Sequence, residues 1–131
     1  MAHAVVEWTD NLAADGFEIR PLLSLIAAAM RDADGVFPSA GIRVRGIRLE
    51  DYVIADDTGQ DAFVNIRVLM GAGRSADFKR AFFERLFAGV EAHLEPLFAR
   101  RYLALSMYVD EADEASSFKH NNIHHRFRKA D

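Results

Sequence analysis

The sequence predicts an α+β fold of two βαβ units, with a four-stranded sheet and two helices on one face. Three observations carry this. Alternating apolar segments and segments of helical spacing follow one another as strand, helix, strand, strand, helix, strand. Each half of that order is a strand–helix–strand unit, although no residue-level repeat relates the halves. Half of the 131 residues are hydrophobic and ten are Phe, enough for a buried core in a single domain spanning 1–131.

The elements follow in order. Residues 3–8 are short, apolar and β-branched at Val5 and Val6, and read as a first strand. After a polar stretch at 11–16, Leu22, Leu23, Ile26, Ala27 and Met30 have helical spacing. Pro21 suits the first turn of that helix, and Gly35 and Pro38 end it. Strict alternation resumes at Ile42-Arg43-Val44-Arg45, then slips by one at Ile47 and Leu49. Gly46 stands at the slip, which predicts a bulge or bend there. Residues 56–60 form the clearest turn signal, and Val64, Ile66, Val68 and Met70 alternate after it. Residues 42–70 therefore read as a long hairpin. Ser75 is a credible N-cap, with Asp77 in the first turn of a second helix. Phe78, Phe82, Phe83, Leu86, Phe87, Val90, Leu94, Leu97 and Phe98 make its apolar stripe, and Pro96 is expected to kink or end it. Residues 102–109 are the last strand, followed by a polar connection and a basic tail. Crossovers are expected to be right-handed. Helices on one face leave the other sheet face uncovered, and its apolar content favours burial in an oligomer.

Composition narrows the function. The net charge is −4, the opposite balance to a general nucleic-acid binder. An anion site must come from a few placed arginines. There is no Cys, which removes disulfides, thiol nucleophiles and Cys-type zinc sites. No signal peptide opens the chain and no apolar run approaches membrane-spanning length. A soluble cytoplasmic protein with neither nucleic-acid nor membrane partners is expected.

Three groups of residues can carry chemistry. Arg74 precedes a helix N-terminus, where free N–H groups favour an anion and the dipole slightly disfavours a cation. It is either part of a carboxylate or phosphate pocket or a solvated loop cation. Arg43 and Arg45 share one strand face. They are either a second anion clamp, for which the planar guanidinium is suited, or a solvated charged face. His120, His124 and His125 cluster in the tail. A polar tail is favoured over a metal site, which needs a further fixed ligand.

Several segments, in order and spanning nearly the whole chain, carry a resemblance. They are His3…Val6-Glu7…Asp10-Asn11, Phe37-Pro38-Ser39-Ala40-Gly41-Ile42-Arg43, Ala62-Phe63-Val64, Gly71-Ala72-Gly73-Arg74-Ser75, Leu103-Ala104-Leu105-Ser106 and Phe118-Lys119-His120-Asn121-Asn122-Ile123-His124. With these the chain resembles the 5-carboxymethyl-2-hydroxymuconate isomerases of the tautomerase superfamily. The resemblance implies two βαβ units per chain in a homotrimer, sheets inward and helices outward. It implies proton transfer between oxygen and carbon of a dienol di- or tricarboxylate, giving the conjugated keto acid, without metal or cofactor. The family's base is an N-terminal proline exposed by removal of the initiator Met. Two arginines bind and polarise the substrate, and by motif they fall on Arg43 and Arg74, the latter also catalytic.

The chain departs from the family at the base, because Ala2 follows Met1. Ala2 offers a primary amine, and only once Met1 is cleaved. Such an amine starts near about 7.7 to 8.0, and burial beside cations lowers it. If Met1 stays, the free amine moves by about one residue, ~3.8 Å. The alternatives are an impaired trimer of the same fold that binds a small carboxylate, and a different reaction, such as hydration, in the same pocket.

Overall fold

A computed structural model describes residues 1–128. The strands are β1 (Ala2–Thr9), β2 (Ile42–Leu49), β3 (Asp61–Gly71) and β4 (Tyr102–Ala112), and the helices are α1 (Ile19–Arg31) and α2 (Ala76–Phe98). The sheet order is β2-β1-β3-β4. β1 and β2 are parallel, as are β3 and β4, while β1 and β3 are antiparallel. Each parallel pair is closed by its own helix, so the two βαβ units are present.

The hairpin expected over 42–70 does not form. β2 and β3 lie on opposite edges of β1 and never pair. The turn before β3 is present, with Asp57 N–H donating to the Ile54 carbonyl at 2.9 Å. It lies in a connection that carries the chain across the end of β1. The Tyr52 hydroxyl donates to Asp10 Oδ1 at 2.9 Å and pins that connection there. β1 carries few charges and takes the central place. β2, with Arg43, Arg45 and Arg48, takes an edge, where charge blunts further pairing.

The expected bulge at Gly46 is also absent, since the β1–β2 register runs unbroken from Ala2↔Ile42 to Thr9↔Leu49. Gly46 is needed for a different reason. A Cβ there would stand 2.6 Å from Ile19 Cγ1, so α1 rests directly on the β2 backbone. The slip in phase is a change of side. Ile42 and Val44 face the helices, and Ile47 lies on the bare face.

The core lies between sheet and helices. Ala2, Ala4, Val6 and Trp8 of β1 and Ala62, Val64, Ile66, Val68 and Met70 of β3 meet Leu22, Ile26 and Met30 of α1 and the Phe82–Leu97 stripe of α2. Pro21 lies in the first turn of α1. The Ser75 hydroxyl caps α2 by accepting from Phe78 N–H at 3.1 Å. α2 continues past Pro96 and stops at Phe98. So near its end, Pro96 removes one bond without bending a long helix. On the other face no helix covers His3, Val5, Glu7, Arg45, Arg67, Leu69 and Asp110, which line an open cavity of about 410 Å³. No helix among the described residues is long and apolar enough to cross a membrane.

Candidate active site

β1 and β2 begin at the same end of the sheet where β3 and β4 finish. There the chain places its own start. The Met1 carbonyl accepts from Gly71 N–H at 3.4 Å. Met1 also needs Gly41, because a Cβ at that position would come within 3.0 Å of Met1 Cα. Gly41 closes the short 3-10 turn Ser39–Gly41 that leads into β2, so the turn before the strand makes room for the terminus beside it.

Around Met1 lies a cavity of about 350 Å³ lined by Met1, His3, Pro38, Gly41, Arg43, Phe118, Lys119, His120, Asn121 and His124. Among the described residues no Asp or Glu lines it, although the chain carries 20 acidic and 16 basic residues. The Met1 amine is pushed below its ordinary 8.0. Burial is the main cause, followed by the positive charges of Arg74, Lys119 and Arg43, with Glu114 opposing them. His3 is lowered in the same way, by burial and then by Arg45, Arg43 and the terminus. It is therefore neutral near pH 7.

The structure brings some of the expected residues together. Arg43, paired with His3 in the β1–β2 register, lines the cavity. Arg74 does not line it, but its charge reaches the amine. Its guanidinium donates to the Gly71 carbonyl at 3.1 Å and to the Val36 carbonyl at 2.5 Å, and lies 5.8 Å from the centre of the Phe37 ring. Arg74 is thus not a freely solvated loop cation. It ties the end of β3 to the segment before β2. Arg45 is exposed and lies 3.1 Å from His3 Nδ1 through Nη1. Ala2 is fully buried in β1, between Ile42 and Met70. With Met1 attached, its nitrogen is a peptide nitrogen. Met1 carries the free amine.

The tail supplies residues to which the sequence assigned no role. Residues 118–124 fold back over the start of β2. Asn121 Nδ2 donates to the Ala40 carbonyl at 2.9 Å, and Asn121 Oδ1 accepts from Ile123 N–H at 2.7 Å. This brings Lys119, His120 and His124 to the cavity wall. The only signal for it was the Phe118-to-His124 motif itself, since nothing in its spacing says that the segment returns to β2. Among the described residues no group of three or more His, Asp or Glu side chains is placed to hold a metal ion.

The sequence matches the family model described as 5-carboxymethyl-2-hydroxymuconate isomerase over residues 2–127. It is 33% identical to the 5-carboxymethyl-2-hydroxymuconate Delta-isomerase of Escherichia coli over 98% of this chain and 100% of that protein. The crystal structure of a 5-carboxymethyl-2-hydroxymuconate isomerase from Deinococcus radiodurans R1 superimposes with a TM-score of 0.90. It is 40% identical, covering 98% of this chain and 95% of that one. A fused 4-OT wild type symmetric trimer shares the fold alone, with a TM-score of 0.50 at 18% identity over 88% of this chain and 91% of that one. The buried start of β1, the cationic cavity around it and these likenesses lead to one conclusion: the chain belongs to the 5-carboxymethyl-2-hydroxymuconate isomerase family.

Proposed function

We propose that the protein is a cytoplasmic isomerase of the tautomerase type. Its substrate is an unsaturated 2-hydroxy (dienol) di- or tricarboxylate such as 5-carboxymethyl-2-hydroxymuconate, and its product is the conjugated keto acid. The observation that carries this reading is a cavity at the start of β1 that Arg43 and Lys119 line and, among the described residues, no Asp or Glu. After removal of Met1, the Ala2 amine accepts the enol hydroxyl proton. A proton is returned to carbon, the double bonds shift, and the amine ends unchanged. Arg43 binds a carboxylate. Arg74, held by two backbone carbonyls, contributes positive charge where oxygen becomes negative. The reading calls for no metal or cofactor.

The base works unprotonated, so the rate rises with pH through the amine's pKa. The charges that lower the Met1 amine, those of Arg74, Lys119 and Arg43, are expected to act on the Ala2 amine in the same sense and to set that limb below the ordinary amine range. A bound dicarboxylate favours the ammonium, so the limb in kcat lies at higher pH than the limb in kcat/KM. The test is a ketonisation assay on dienol acids, with the Ala2 terminus verified by mass spectrometry. Turnover supports the isomerase. Carboxylate binding without turnover supports the second reading, an impaired carboxylate-binding protein of the same fold, which Ala2 in the family's proline position favours.

Self-association as a homotrimer belongs to the same proposal. It is supported by the uncovered sheet face, where Ile47, Leu69 and Tyr108 are exposed at 44%, 39% and 57%. A size measurement in dilute solution is expected to give three copies of the 14.7 kDa chain. A persistent monomer overturns the assembly and leaves that face solvated.

A further inference from the structure

The proposed substrate carries at least two carboxylates, and the cavity offers more than one cation to receive them. Arg43 enters from the start of β2, and Lys119 enters from the tail. They belong to separate elements that both line the cavity, a strand and the returning tail, so a diacid bound there can meet one cation from each. Lys119 has little else to do. Its recorded ion pair is with Glu114, at 3.8 Å from Nζ to Oε1, and the Glu114 side chain is 77% exposed. A pair that long and that wet contributes little. The backbone beside Lys119 is fixed by Asn121, which grips the Ala40 carbonyl just before β2. That bond sets the tail's position relative to Arg43.

We infer that Lys119 is the residue that selects dicarboxylates over monocarboxylates, by binding the carboxylate that Arg43 does not hold, and that Asn121 positions it. The inference rests on the reading of this cavity as a carboxylate-substrate site. The ammonium suits the task because it is a compact point charge on a flexible stem, able to follow substrates of different length. Arg43 lies in a strand and has a narrower range. The charge of Lys119 also lowers the pKa of the Met1 amine, and is expected to act in the same sense on an Ala2 amine.

The test uses the full chain with its terminus verified as Ala2. Wild type, Lys119→Met and Lys119→Arg are titrated with adipate and with hexanoate, which has the same carbon chain and one carboxylate fewer. Wild type is expected to prefer adipate. Lys119→Met is expected to lose about tenfold or more in adipate affinity, as for a charged contact broken within a site. Its hexanoate affinity is expected to stay within about twofold, as for an exposed side chain. Lys119→Arg is expected to restore most of the preference. Equal losses for both ligands, no loss for either, or a wild type without preference overturns the inference. Turnover of a dienol acid by wild type is scored separately. An active enzyme whose Lys119→Met variant keeps the adipate preference sinks the inference and spares the isomerase. An inactive protein with a Lys119-dependent preference does the reverse.

Discussion

Protein that begins at Ala2 is expected to turn over a dienol dicarboxylate at least ~100-fold faster than the same protein beginning at Met1, since a displacement of even about 1 Å at a reacting group costs that much. In the Met1 form the Ala2 nitrogen is an amide, and Met1 lines the cavity together with Gly41 and Arg43. Removing Met1 therefore creates the amine at the start of β1. The two forms are prepared with defined termini and compared at saturating substrate. Equal rates remove Ala2 from the mechanism. Ala2→Pro then probes the one position where the family pattern is broken, and a higher rate in the Met-free variant is expected. After processing the nitrogen is terminal, so a proline there removes no amide from inside the strand. No gain on any dienol acid means that the cavity itself has diverged.

Arg74→Ala is expected to lower kcat/KM by at least about tenfold, through loss of the positive charge it brings near the chain start rather than of a contact in the cavity. It is also expected to shift the acid limb of the pH–rate profile upward. The sign follows from the charges. Arg74 disfavours the ammonium, so removing it raises the amine's pKa and a higher pH is needed to free the base. The variant also carries a stability cost. The two bonds of Arg74 join the Gly71 and Val36 carbonyls, and losing both is expected to cost about 1–3 kcal/mol in chemical denaturation. Arg45→Ala is the control. Its side chain is exposed on the sheet face, and turnover is expected to stay within about twofold. Equal effects in the two variants return Arg74 to a purely structural role.

The elements were legible because each is written locally. The alternation in β1 and β3, the stripe of α2 and the Ser75 cap all lie within a few turns of chain. What eluded the sequence is non-local. Two strands on either side of a turn look like a hairpin, and no residue in 42–70 says that β1 lies between them. Gly46 was read as a defect in its own strand, whereas the cause is Ile19, on a different element. At the site, Arg43 and Arg74 were visible through the family motifs, and only Arg43 lines the cavity. The carbonyls that hold Arg74 belong to segments that the spacing alone does not bring together. The contribution of Lys119 was hidden because it depends on one side-chain amide reaching from residue 121 to residue 40.

That amide has a bearing on the order in which the molecule opens. Among the described residues it is the one recorded hydrogen bond between residues 118–128 and the rest of the chain, and a single bond of this kind contributes only about 1 kcal/mol. The sheet beneath is held by a full ladder on each pairing. Detaching the tail is therefore a local event that leaves the sheet intact. The Ile123 amide should exchange its hydrogen long before those of β1. Because the contact joins residues 81 apart, it also closes late in folding, after the sheet that receives it. The wall of the cavity formed by 118–124 is thus expected to open before the sheet does.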